Sequence, residues 1–277
     1  MSADGSASAR DRAAAGAAPV AVDYDPFAAG GEIQRTVAST ESQRELWLAD
    51  MQGRGSSLAF NESVELRLAG ALDVGAMRAA LAALVERHEA LRSTFSADGL
   101  TLNVNAPPAS LPVPLDDLAA LDERAQQTQL GQIRQRQVDE PFDLVAGPLF
   151  RAELVRTGAE RHTIFMTAHH IVCDGWSFGV LVKDLAAAYA RARGVAADWP
   201  APERYSDYAQ AERQRESAPE TAEHERFWVE RFAASLPPPL ELPGDHARPA
   251  VRGTASDRID HELPASLVKA VKQLGAR

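Results

Sequence analysis

Several stretches of the chain alternate apolar and polar residues with period two. Val64, Leu66 and Leu68 alternate with Glu65 and Arg67, the pattern of a strand with one face on a core. Pro148 to Val155 alternates again, and a short strand is expected over Leu100 to Val104. The run His162 to Ala168 (HTIFMTA) is apolar or β-branched nearly throughout. That predicts a central strand covered on both faces. Other stretches follow the helical period. Met77, Leu81, Leu84, Val85, His88 and Leu91 recur at three- and four-residue spacing, which predicts an amphipathic helix over 74–90. Thr40, with Gln43 three residues on, reads as the cap of a helix carrying Leu46, Trp47 and Met51. Helices are also expected over 115–138, with Leu118, Leu121, Leu130 and Ile133 inward, over 178–191, and across the polar region 205–234 that holds Trp228 and Phe232.

The breaks in these patterns suggest an organisation. Residues 1–20 are small and polar with nothing large to bury, so 1–38 reads as a flexible linker and lead-in. Such a leader is typical of a domain cut from a longer multidomain chain. Ordered structure is expected from Ser39, and 39–235 forms the main lobe. Pro237, Pro238 and Pro239 favour an extended spacer. After this crossover, a strand over 252–262 and a helix over 265–275 would begin a second lobe, so 236–277 stands apart. Strands and helices mix without strict alternation. The expected class is α/β, an α+β sandwich with helices packed on a mixed sheet.

Composition narrows the function classes. The 277 residues carry 29 Lys+Arg against 39 Asp+Glu, a net charge of −10. This balance argues against broad binding of a nucleic-acid backbone. One cysteine excludes a disulfide framework. No apolar run approaches the roughly 18–20 residues of a membrane span. The N-terminus lacks the apolar core of a signal peptide. No membrane partner and a cytoplasmic location are therefore expected.

The chemistry concentrates in Met166-Thr-Ala-His-His-Ile-Val-Cys-Asp-Gly-Trp-Ser177. A buried strand here ends in two adjacent histidines, and adjacent strand residues point to opposite faces. One imidazole must face the packed interior, and the other can face a cleft, where it can accept a proton or hold a nucleophile. Asp174 can pair with a buried arginine, and Gly175 permits unusual backbone geometry in the tight link. Neighbouring histidines on a strand chelate one ion poorly, and H-E-x-x-H and paired cysteines are missing, so no metal is expected. Neither nucleotide-binding glycine motif is present. Cys173 is expected to be buried and inert, Trp176 to pack at the start of the next helix, and Ser177 to cap it.

His169-His170-Ile171-Val172-Cys173-Asp174-Gly175 resembles the H-H-x-x-x-D-G signature of nonribosomal peptide synthetase condensation domains, in the chloramphenicol acetyltransferase-like superfamily. Three further segments agree in order. Ser42-Gln43-Arg44-Glu45-Leu46-Trp47 resembles the family's opening helix motif, with Ser42 where alanine is usual. Arg87-His88-Glu89-Ala90-Leu91-Arg92-Ser93-Thr94-Phe95 and Tyr205-Ser206-Asp207-Tyr208-Ala209 resemble two others. The resemblance implies an N-terminal chloramphenicol acetyltransferase-like lobe with the start of a second, truncated one, and an active-site tunnel between the lobes. Part of that tunnel would then lie outside these 277 residues. It implies His170 as the catalytic residue, receiving or positioning the acceptor amine. It implies supporting roles for His169, turned inward, for Gly175, and for Asp174, paired with Arg87 or Arg92. Donor and acceptor would arrive on the phosphopantetheine arms of carrier protein domains, with adjacent synthetase domains as neighbours and no cofactor bound by this chain. An epimerization domain, an alcohol-esterifying acyltransferase and a noncatalytic carrier-binding platform share the fold. The segments at Ser42 and Tyr205 lean toward condensation.

Overall fold

The computed structural model describes residues 32–238, 240 and 261–276. In chain order the elements are β1 (Ile33–Ala38), α1 (Glu41–Asp50), α2 (Arg54–Leu58), β2 (Asn61–Ala69) and α3 (Val74–Arg87). A 3-10 turn (Glu89–Arg92) leads into β3 (Ser93–Phe95), β4 (Thr101–Asn105), β5 (Leu115–Asp117) and α4 (Glu123–Asp139). Then come β6 (Phe150–Gly158), β7 (Arg161–His169), α5 (Gly175–Ala192), α6 (Tyr205–Glu216), α7 (Pro219–Ala233) and α8 (Ala265–Gly275).

The strands form two sheets. One has the order β1-β4-β3 and is antiparallel throughout; the other has the order β2-β7-β6-β5. In the larger sheet β5 runs parallel to β6 while the remaining pairs are antiparallel, so the sheet is mixed. Every residue of β7 after Arg161 is buried, as its unbroken apolar and β-branched run requires. Ile164, Met166 and Ala168 face the main core, which gathers Leu81 and Leu84 of α3 and Phe178 and Leu181 of α5. Phe165 faces the opposite way and meets Leu130 and Ile133 of α4. The helices thus cover both faces of the strand that ends at the two histidines.

Several expectations shift by a few residues, and some are corrected. Ile33–Ala38, read as the end of a lead-in, is a strand paired with β4. The helix expected over 115–138 begins only at Glu123; β5 occupies its start, and Leu121 is exposed. The region 205–234 is two helices, broken at Ser217 and Ala218 ahead of Pro219, which takes the first helical turn of α7. Trp228 and Phe232 are exposed on α7. The helix over 265–275 is present as α8, whereas residues 252–260 lie outside the described residues. No helix among the described residues is long and apolar enough to cross a membrane.

The β3–β4 turn fixes α1 against the smaller sheet. Gly99 has φ +72°, and a Cβ there would sit 2.4 Å from the Trp47 ring. Strain and clash act together, so Gly99→Ala is expected to cost more than about 1 kcal/mol. A urea denaturation curve checks this; an unchanged midpoint would show that Trp47 moves aside freely.

Candidate active site

The four motif segments converge on one cavity of about 930 Å³. Gln43 and Leu46 of α1 line it, as do His88 and Glu89 after α3, His170 to Asp174 after β7, and Tyr205 of α6. Local chemistry brings these segments to their places. The Thr40 hydroxyl accepts the Gln43 N–H at 3.3 Å, and the Gln43 side chain accepts the Thr40 N–H at 3.2 Å, a reciprocal cap. The same Gln43 amide donates to the Ile171 carbonyl at 3.2 Å, which ties α1 to the segment after β7. Glu89 accepts the Ser206 N–H, joining the 3-10 turn to α6. Arg35 of β1 donates to Asp207 at 2.7 Å.

The pleat of β7 separates the two histidines. His169 has no exposed surface and is packed by the rings of Phe60 and Phe142, at centroid distances of 5.9 and 6.2 Å. Its Nδ1 accepts the Ile171 N–H at 3.1 Å, so the neutral ring carries its proton on Nε2. That nitrogen lies 3.4 Å from Asp50 Oδ1. Burial lowers the His169 pKa, and the Asp50 carboxylate opposes that shift without cancelling it. His170 is partly exposed and lines the cavity. Its N–H extends the β2–β7 ladder to the Phe60 carbonyl at 2.8 Å, and its Nδ1 donates to the Cys173 carbonyl at 3.2 Å.

Asp174 meets neither Arg87 nor Arg92, contrary to the expected pairing. It caps α5, accepting from the Ser177 N–H at 2.8 Å and the Ser177 hydroxyl at 2.6 Å. These bonds hold its carboxyl below the ordinary range. Ser177 is therefore not the cap but the residue that the cap holds. Arg87 instead donates to Asp184 at 2.8 Å, and His88 Nε2 lies 2.8 Å from the same oxygen. Burial works to raise the Asp184 pKa, but the bonds from Arg87 and His88 outweigh it and leave the carboxyl lowered. Arg92 donates to Gln34 and to the Asn105 carbonyl. The physical reason for the mismatch is placement: Arg87 and Asp184 face each other across packed α3 and α5, whereas Asp174 sits exposed at the head of α5. Gly175 opens α5 without a positive φ, and a Cβ there would meet nothing within 4 Å, so the expected backbone constraint is absent. Trp176 does not pack at the helix start; it is 85% exposed at the cavity rim. Cys173 is buried, and burial pushes its thiol up to about 12. The thiol stays protonated and gives no nucleophile.

Two carboxylates beside the histidines escaped the motif reading. Asp50 closes α1 next to His169, and Glu62 of β2 lies 2.6 Å from His170 Nδ1. The sequence carries a weak signal for Glu62, which stands at the start of the alternating strand. For Asp50 no local pattern distinguishes it from a solvated helix end.

Two predictions follow from this geometry. Asp174→Ala removes a cap and should cost about 0.5–2 kcal/mol. Asp184→Ala takes from Arg87 and His88 the largely buried carboxylate they share and should cost more, toward about 3–5 kcal/mol. Denaturant unfolding of the two variants measures both, and the reverse order of cost would refute the assignment of partners. The second concerns pH. Burial also lowers the pKa of His88 and of His162. Together with His169, these rings bind protons more readily in the unfolded chain. Their neutral forms favour the fold fully above about pH 6.5, and stability falls as the pH drops below that value toward the lower folded-state pKa values. Thermal midpoints followed by circular dichroism between about pH 7.5 and 5.5 should decline; a flat profile would contradict this.

Comparison with known proteins agrees with the geometry. The family model described as Condensation domain matches residues 33–277. The chondramide synthase cmdD of Chondromyces crocatus is 36% identical over 242 residues, which is 85% of this chain and 6% of that synthase. A variant of the starter condensation domain of rhizomide synthetase RzmA, solved in complex with C8-CoA and Leu-SNAC, superposes with a TM-score of 0.62 at 23% identity. The match covers 72% of this chain and 45% of that one. The SgcC5 protein of Streptomyces globisporus, solved with a naphthyl 1,2-ethanediol, gives a TM-score of 0.58 at 26% identity, over 69% of this chain and 46% of its own. The chain thus spans a small part of the synthase and about half of the solved domains, and its mixed sheet with flanking helices is the chloramphenicol acetyltransferase-like lobe. It belongs to the condensation-domain family of nonribosomal peptide synthetases.

Proposed function

We propose that this chain contributes the catalytic histidine of an amide-forming condensation domain. The donor is an acyl or peptidyl thioester on the phosphopantetheine arm of one carrier protein domain. The acceptor is an aminoacyl group on a second carrier arm, and adjacent synthetase domains deliver both. The acceptor nitrogen adds to the thioester carbonyl, loses a proton, and the carbon–sulfur bond breaks to release a thiol. The observation that supports this reading is the division at the end of β7: His169 is sealed in the interior while His170 stands at the wall of the cavity. A thioester is already activated, so holding the amine in line can supply several kcal/mol, and accepting its proton a further 10²–10⁴-fold. Asp174 serves this site by capping α5 at the cavity edge.

The diol bound in the SgcC5 structure favours a second reading, in which the acceptor is a hydroxyl and the product an ester. Turnover of loaded carrier proteins by the full synthetase module that contains this chain tests both. Native protein should form amide with an amine acceptor, and His170→Ala should lose about 10²–10⁴-fold of that rate. Undiminished product from His170→Ala would remove His170 from the mechanism, and turnover confined to hydroxyl acceptors would select the ester reading.

A further inference from the structure

Glu62 is brought to His170 by strand register rather than by a loop. In the antiparallel β2–β7 pair Glu62 lies opposite Ala168. Residues two apart on a strand share a face, so Glu62, Ala168 and His170 stand on the same side of the sheet. The His170 N–H to the Phe60 carbonyl continues the pairing one step past the strand end and fixes this diagonal. Glu62 Oε1 then lies 2.6 Å from His170 Nδ1. The second neighbour of that nitrogen is the Cys173 carbonyl at 3.2 Å. A carboxylate and a carbonyl are both acceptors, with no hydrogen to give. A lone pair on Nδ1 would face oxygen lone pairs on two sides. The ring avoids this by carrying its proton on Nδ1, which leaves the lone pair on Nε2. Glu62 is not among the residues lining the cavity, whereas His170 is. The carboxylate therefore acts from behind the ring.

We propose that Glu62 is the positioning residue of His170: its carboxylate holds the imidazole with the proton on Nδ1 and keeps Nε2 free to accept. The proposal rests on His170 being the group that receives the acceptor's proton. In that step the amine nitrogen forms the new bond to the thioester carbon and its surplus proton passes to Nε2. The imidazolium, now a donor at both nitrogens, is stabilised by the Glu62 charge. The carbon–sulfur bond breaks and Nε2 returns the proton to the departing sulfur. Glu62 stays a carboxylate throughout, so its part is to set the tautomer and offset the transient positive charge. The pair is about one-third exposed on each side, 36% for His170 and 32% for Glu62. Water screens it, and its contribution to global stability is correspondingly small.

Two variants and two readouts test this. Glu62→Met removes the acceptor at nearly constant size, and Glu62→Lys replaces it with a donor. The chain has seven histidines, so the His170 ring can be identified in nitrogen-15 histidine spectra by its loss in His170→Ala. Native protein should show His170 protonated on Nδ1 and bare on Nε2. Glu62→Met should mix the tautomers, and Glu62→Lys should move the proton to Nε2. In the full synthetase module kcat should fall about 10- to 100-fold for Glu62→Met and further for Glu62→Lys, with KM within about twofold. An unmixed Nδ1–H tautomer in Glu62→Met would show that the Cys173 carbonyl suffices and would overturn the proposal. So would a kcat within about twofold of native in either variant. The spectra need no substrate, so they judge the role of Glu62 even if the native module forms no amide, a result that would count against the proposed function alone. Should Glu62→Met fail to fold by circular dichroism, Glu62→Lys decides: a proton retained on Nδ1 refutes the proposal.

Discussion

The site depends on the pleat of one strand held in register between two neighbours. β7 pairs with β2 on one side and β6 on the other, and both of its faces are covered. A one-residue slip would exchange every inward and outward side chain. Such a slip would drive Phe165 into the α3–α5 core and turn His170 into the aromatic pocket now filled by His169. The buried faces forbid it, and the two imidazoles are thereby assigned opposite environments. One is dry and fixed; the other borders a cavity.

The assigned environments explain why the remaining motif segments are where they are. Gln43 closes the cap of α1 and also reaches the Ile171 carbonyl, so one amide sets both the helix start and the conformation after β7. Glu89 accepts from the N–H of buried Ser206, which anchors the start of α6 beside the 3-10 turn. The segments are far apart in sequence, yet Gln43 and Glu89 each supply a polar side chain whose partner is a backbone group of another segment. Polar groups buried in this way need partners, and the partners hold the cavity wall in shape.

Ionic contacts divide by role. The Arg87–Asp184 pair, with His88 on the same oxygen, lies between α3 and α5 and belongs to the scaffold. Asp174 is spent on a helix cap, and Glu62 on the ring that faces the cavity. A motif aspartate can therefore matter for where a helix begins without touching an arginine among the described residues. The carboxylate nearest to His170 comes from a different strand, outside the motif.

Much of the fold was legible in local pattern. Period-two alternation found β2 and β6, the apolar run found β7, and helical spacing found α3 and α5, because burial of one face leaves its period in the sequence. The paired histidines and the strand rule were enough to expect one ring inward and one outward. Three things needed tertiary structure. β1 has no strong alternation and is a strand because β4 offers it a partner. The partner of an aspartate depends on which helix ends meet in space, so Asp174 and Asp184 could not be told apart by spacing. Glu62 carries a local pattern, that of a half-exposed strand residue; only the antiparallel register, a pairing across about a hundred residues of chain, sets its carboxylate beside His170.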